Sequence, residues 1–191
     1  MISSTPLNQT KLRKDFDKKD YHAGASRFKI YCWYFVSTLF FRSGFMPFSS
    51  VLVILLKAFG CKAGNDIRVK PFVTIKYPWK LIIGDHTWIG ENCVIENLAE
   101  VTLGKNVCLS QASKLITGNH NYKKASFDLF VKPIFVEDGA WIGANAVVCP
   151  GVLVASHAIL TVGSVATRSL EGYSIYQGNP AVKVRERELT D

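Results

Sequence analysis

V-E-D-G-A-W-I-G-A-N-A-V-V-C-P-G-V-L-V-A-S-H-A-I-L-T-V-G-S-V-A, residues 136–166, sets Val136, Ile142, Val148, Val154, Leu160 and Ala166 six residues apart without a break. Neither the 3.6 period of a helix nor the 2.0 period of a strand accommodates such an interval over so many units. Each unit has room for one short strand and one turn, and stacked units bury a continuous aliphatic column, as repeat solenoids do. Toward the N-terminus the interval recurs at Ile83, Ile89 and Ile95 and, after a slip of two residues, at Leu103, Leu109 and Leu115, with Ile67 and Val73 as a weaker first pair. The residue after the aliphatic is Gly at 84, 90, 104 and 143, and the fourth after it is small or polar at Thr87, Ala146, Ala158 and Ser164. With the aliphatic pointing inward, glycine is expected to relieve the backbone at a corner and the small residue to leave room for the adjacent coil.

Between Leu115 and Val136 the register is lost for 21 residues, so residues 116–135 are expected to leave the solenoid as an excursion loop. Loops on a rigid scaffold are where chemistry is usually placed. This one presents His120 beside Asn119, Asn121 and Tyr122, with Asp128 further along. A neutral imidazole can accept a proton at neutral pH. His22, His86 and His157 read instead as structural or solvated residues.

The chain has 191 residues, 48% of them apolar and 20% charged, which fits one folded domain and excludes a mainly disordered chain. Its net charge of +8 is unevenly distributed. Residues 1–60 carry nine basic and three acidic residues, whereas the rest carry 14 against 12. No nucleic-acid-binding signature accompanies the charge, so nucleic acid is not an expected partner. Five cysteines without a C-x-x-C pair or regular spacing point to the cytosol, and the polar first 25 residues do not read as a signal peptide.

Residues 1–24 read as a mobile arm, and residues 28–59 as two short helices around the S-G-F-M-P turn, with Gly60 as the stop. Neither apolar run reaches the roughly 20 residues that span a bilayer. Two readings of this hairpin stay open. It packs on the protein or a neighbouring subunit, or it lies on a membrane surface through Trp33, Tyr34, Phe35, Phe40 and Phe41, flanked by Arg27, Lys29 and Arg42. The organisation expected is an arm and helical hairpin over 1–60 and a solenoid with a C-terminal tail over 61–191.

Four stretches carry a family resemblance: I-G-D-H-T-W-I-G-E-N-C-V-I-E-N-L-A at 83–99, T-G-N-H-N-Y at 117–122, K-P-I-F-V-E-D-G-A-W-I-G-A at 132–144 and Q-G-N-P-A at 177–181. With the repeat, they resemble the hexapeptide-repeat acyltransferases, and among these most the colanic-acid-biosynthesis-type sugar O-acetyltransferases. The resemblance implies a mainly β fold, a left-handed parallel β-helix with three units per coil, here preceded by the helical segment. It also implies a homotrimer with the site between subunits and direct acetyl transfer from acetyl-CoA to a sugar hydroxyl, a cell-surface or exopolysaccharide precursor being the favoured acceptor. No acyl-enzyme and no metal are required. Carried over residue by residue, His120 is the general base and the Ala144 backbone N–H the oxyanion donor. Asn97, Asn119, Tyr122 and Asp128 are candidates for the acceptor, Asn97 alternatively capping a strained corner. Trp141, Gly143, Ala144, Gly163 and Ser164 would line the pantetheine arm of coenzyme A, and Thr167, Arg168, Lys183 and Arg185 its phosphates. Lys183 departs from the family spacing by one residue. The implied location is cytoplasmic, at the inner face of the membrane if the hairpin binds lipid.

Two other functions are compatible with a β-helix. A zinc enzyme of the γ-class carbonic anhydrase type shares this β-helix but needs three converging imidazoles, and no close partner follows His120. A non-catalytic β-helical scaffold recruited to a membrane assembly is the second.

Overall fold

The computed structural model describes residues 9, 10, 12, 17, 18 and 21–190, so most of the expected arm lies outside the described residues. From Lys62 to Ala166 the six-residue units become parallel strands of two or three residues laid on three faces. Face A holds Lys62–Ala63, Leu81–Ile83, Val101–Leu103, Ile134–Val136 and Leu153–Val154, and face C holds Thr74–Ile75, Val94–Glu96, Lys114–Ile116, Val147–Val148 and Val165–Ala166. Face B runs through Arg68–Val69, Trp88–Ile89, Cys108–Leu109, Trp141–Ile142, Ile159–Leu160 and the C-terminal hairpin.

The aliphatic interval of the sequence becomes three vertical stacks, one per face. Ile83, Leu103, Val136 and Val154 are register partners on face A; Ile89, Leu109, Ile142 and Leu160 on face B; Ile95, Leu115, Val148 and Ala166 on face C. All twelve are buried. Successive coils are 18 residues apart where Trp141 pairs with Ile159, 20 apart where Trp88 pairs with Cys108, and 33 apart where Val101 pairs with Ile134 across the excursion. The two-residue slip and the excursion therefore both fall at the corner from face C to face A.

Two details differ from expectation. Ile67 and Val73 are buried but belong to a second inner column, the one formed by Thr87, Cys93, Val107 and Ser113. The first-column residues of the first coil are Val69 and Ile75, which pair with Ile89 and Ile95. Branched aliphatics fill both columns in that coil, so the interval alone does not fix its phase. The glycines after the aliphatics, in turn, answer to the neighbouring coil and not to backbone conformation. A Cβ on Gly84 would stand 2.5 Å from the Gly104 carbonyl carbon, and one on Gly143 2.6 Å from the Val162 nitrogen. The left-handed backbone falls two residues later, where His86, Asn92, Asn106, Asn145 and His157 have φ of 55–60°. Asn and His tolerate that region better than most side chains.

Before the solenoid come α1 (Arg27–Val36), a π-helical turn (Ser37–Arg42) and α2 (Ser49–Ala58). Ser26 caps α1 by accepting from Lys29 N, and Gly60, at φ 99°, follows the end of α2. Trp33, Phe41, Leu52 and Leu56 are buried in one continuous cluster with the coils. Trp33 Nε1 donates to the Ile75 carbonyl at 2.9 Å. The Ser49 hydroxyl accepts from Val69 N and donates to the Val69 carbonyl, which closes the exposed edge of the first face B strand. The hairpin thus packs on its own chain through one side.

The described end of the arm is docked, which corrects the expectation of a mobile segment up to residue 24. Tyr21 and Tyr77 share a 2.6 Å hydroxyl hydrogen bond, Trp79 Nε1 donates to the Ala23 carbonyl at 2.7 Å, and Lys80 Nζ donates to the His22 carbonyl. At the other terminus, Ser174–Gly178 extends face B and Ala181–Glu186 folds back antiparallel on it.

Candidate active site

The excursion begins on a buried anchor. Thr117 donates its hydroxyl to the Glu96 carbonyl and accepts from Ala99 N, fixing the loop exit to the preceding corner. Gly118 follows because a Cβ there would stand 2.5 Å from Leu98 Cδ1. The chain then forms an antiparallel hairpin, Gly118–His120 against Leu129–Val131, with His120 opposite Leu129. The expected excursion loop is built as a two-stranded tongue standing on the corner.

His120 is positioned by Phe127, a residue the sequence reading missed. The His120 Nδ1 lies 2.7 Å from the Phe127 carbonyl oxygen, and the two rings stack with 4.5 Å between centroids at 6°. A carbonyl can only accept, so Nδ1 carries the proton and a neutral ring holds its basic lone pair on Nε2. Phe127 has φ 52°, which turns its carbonyl back toward the histidine. No spacing rule in the sequence signals that residue.

Asp128 braces the tongue. Its carboxylate accepts from Lys124 Nζ at 2.9 Å and from Asp17 N at 3.2 Å, while Leu129 N donates to the Asp17 carbonyl. The Lys124 ammonium, with smaller contributions from Ser126 and the Asp17 amide, holds the Asp128 carboxyl below its usual range. Asn119 Oδ1 accepts from His120 N, and Tyr122 is exposed beside them. Asn97 is different. Its side chain is fully buried, accepting from Tyr77 N and donating to the Tyr77 and Lys80 carbonyls. The amide holds the corner below and presents nothing to an acceptor, so the capping alternative replaces the acceptor assignment.

The remaining residues sort onto two edges of the prism. Gly143, Ala144, Gly163 and Ser164 occupy the corners from face B to face C, where Gly163 N donates to the Ala144 carbonyl at 2.8 Å. At Gly163, with φ 68°, an added Cβ would meet nothing within 4 Å, so the backbone there is an open strip. Ser164 faces inward: its hydroxyl accepts from Gly178 N and shares a hydrogen bond with Thr161. Trp141 points outward from face B and donates Nε1 to Ser110 Oγ at 2.7 Å. Thr167 and Arg168 are exposed at the opposite edge, from C to A, where the His120 tongue also stands. The width of face C therefore separates His120 from Ala144 within one chain.

Of the two C-terminal cations expected at the phosphates, Arg185 is exposed on the last strand. Lys183 is paired with Glu171 at 2.9 Å and Glu186 at 2.7 Å. The histidines do not converge. His86 lies 3.1 Å from Asp66, and His157 bonds Ser156 and stacks on Tyr173, both on corners from A to B. Among the described residues, no group of three His, Cys, Asp or Glu is placed to hold a metal ion.

No protein-family model matches the chain. It is 32% identical over 168 residues to the Escherichia coli protein named as colanic acid biosynthesis acetyltransferase WcaF, covering 88% of this chain and 92% of that one. The chain belongs to the hexapeptide-repeat acetyltransferase family. Another member, the E. coli galactoside O-acetyltransferase, is 27% identical over 135 residues, 69% of this chain and 66% of that one. The structure of a Vibrio cholerae hexapeptide-repeat acetyltransferase, solved in complex with acetyl coenzyme A, superposes with a TM-score of 0.71 at 25% identity over 76% of this chain and 81% of that one. As an acetyltransferase of this family, the chain has its tongue and its open backbone strip on separate edges of one solenoid.

Proposed function

We propose that this chain transfers acetyl from acetyl-CoA to a hydroxyl of a sugar or glycoside, a cell-surface or exopolysaccharide precursor, in the cytoplasm, and that it does so as a homotrimer. The observation that carries the reading is the Nδ1 hydrogen bond from His120 to the Phe127 carbonyl at 2.7 Å. It leaves Nε2 as the basic nitrogen on a rigid tongue, the arrangement a general base for an alcohol requires. Asn119 and Tyr122 stand beside it as the acceptor-facing groups, and Asp128 stiffens the tongue.

Acetyl-CoA supplies the activated thioester. His120 Nε2 takes the hydroxyl proton as the alcohol attacks and passes it to the departing thiolate. The Ala144 N–H donates to the developing oxyanion. Because face C separates these two groups in one chain, the reaction needs the tongue of one subunit beside the B-to-C edge of another, which is the argument for an oligomer, and the family resemblance makes it a trimer. The open strip at Gly163, with Gly143, Ala144 and Trp141, fits an extended pantetheine arm that bonds backbone groups. Thr167, Arg168 and Arg185 are the groups offered to its phosphates, where cations and hydroxyls favour charge-assisted bonds.

The test is a panel of glycosyl acceptors with acetyl-CoA, products read by mass spectrometry, with His120→Ala in parallel. Loss of transfer by about 100-fold or more fits general-base catalysis. Unchanged transfer by the variant would sink it.

A further inference from the structure

We infer that the outer side of the N-terminal helical hairpin is a docking surface for an anionic lipid bilayer. It goes beyond acetyl transfer and does not depend on it. α1 and the π-helical turn are apolar on both sides: Trp33 and Phe41 enter the core, while Phe28, Tyr31, Phe35 and Leu39 recur at helical spacing on the outward side and Phe45 and Phe48 are exposed in the turn that follows, all six being 55–79% exposed. A helix apolar all round is not finished by its own fold, and a contiguous exposed apolar patch marks a protein or membrane contact.

Charge decides between those partners. From residue 21 to residue 65 the chain holds Arg27, Lys29, Arg42, Lys57 and Lys62 and no Asp or Glu at all. Arg27 and Arg42 are exposed at the two ends of the stripe, and Lys57 is exposed on α2. Lys29 instead sits 5.0 Å over the Trp79 ring. Aromatic and aliphatic groups bordered by cations match a headgroup region of negative charge above an apolar layer; the segment itself holds no acid, and Glu96, which lines the cleft beside Tyr34 and Arg42, is paired with Lys76. No helix among the described residues is long and apolar enough to cross a membrane, so the contact is interfacial. The structure also divides the aromatics of the sequence reading: Tyr34 and Phe35 remain available to lipid, Phe40 is only partly accessible, and Trp33 and Phe41 are core.

The experiment is co-sedimentation of the full chain with phosphatidylcholine vesicles and with vesicles that also contain phosphatidylglycerol, in the absence of acetyl-CoA and acceptor. Sedimentation with the anionic vesicles is expected, falling about tenfold or more in Phe28→Ala/Phe35→Ala/Leu39→Ala, since each buried apolar side chain contributes on that order. Arg27→Gln/Arg42→Gln is expected to fold normally and to lose the preference for anionic vesicles. Light scattering of both variants is read alongside. Absence of sedimentation with anionic vesicles, sedimentation undiminished in the apolar variant, or a changed oligomeric state in that variant, which would make the stripe a subunit interface, each overturns the proposal.

Discussion

The carbonyl of Phe127 accepts from His120 Nδ1 at 2.7 Å while the Phe127 ring lies parallel on the imidazole. One residue thereby sets both the tautomer and the plane of the proposed base. Phe127→Ala keeps the carbonyl and removes the stack, which is worth about 0.5–1.5 kcal/mol for an aromatic pair. A fall in kcat of about 3- to 10-fold, with KM for acetyl-CoA unchanged, is expected from steady-state kinetics. An unaltered kcat would mean that the ring orients nothing.

Asn97 and Tyr77 are joined by two hydrogen bonds across one coil, inside the corner below the tongue. Asn97→Ala leaves the Tyr77 N–H and the Lys80 carbonyl unpaired in a buried site, while the Tyr77 carbonyl keeps its bond from Lys80 N, at about 1–3 kcal/mol per unsatisfied group. Thermal unfolding should shift downward by several degrees, about 2–4 °C per kcal/mol for a chain of this size. KM for the acceptor should hold where the variant is folded. A variant with normal Tm and a raised acceptor KM would return Asn97 to the acceptor site.

Gly84 and Gly163 are both corner glycines with opposite demands. Gly84→Ala forces a Cβ to 2.5 Å from neighbouring backbone and should cost about 1–3 kcal/mol. Gly163→Asn places a residue that tolerates left-handed backbone into open space, so stability should change little while KM for acetyl-CoA rises. Calorimetry and acetyl-CoA titrations read the two effects separately.

Asp128 has its carboxyl pK lowered, chiefly by the hydrogen bond from Lys124. A carboxylate depressed in the folded state contributes its bracing above the ordinary carboxylate pK and loses it as pH falls through the depressed value. The protection factors of residues 118–131, exchange rates taken relative to the intrinsic rate at each pH, should therefore fall in acid. In Asp128→Asn protection should be low already at neutral pH, with no further acid step.

Lys183, paired with carboxylates, and Arg168, exposed at the C-to-A edge, divide the proposed phosphate set. Lys183 bridges Glu171 and Glu186, and these partners raise its pK. Lys183→Ala should leave KM for acetyl-CoA nearly unchanged. Arg168→Ala should raise it about 5- to 10-fold, the loss of one charge-assisted phosphate contact.

Much of this molecule is legible without coordinates, because a six-residue interval is a local property repeated many times. Val136 to Ala166 establishes the column, the break after Leu115 marks the tongue, and T-G-N-H brings His120 forward as the proposed base. What stacking alone decides lies in contacts between residues that no repeat relates. His120 meets a carbonyl seven residues on, Asn97 closes a corner 20 residues back, and Asp128 meets Asp17 across 111 residues. The phase of the first coil, the pairing of Lys183 with two carboxylates and the division of the N-terminal aromatics into core and surface arise the same way. Periodicity says which residues point inward. Only the folded chain says which polar groups, once brought together, satisfy one another and which are left for a ligand.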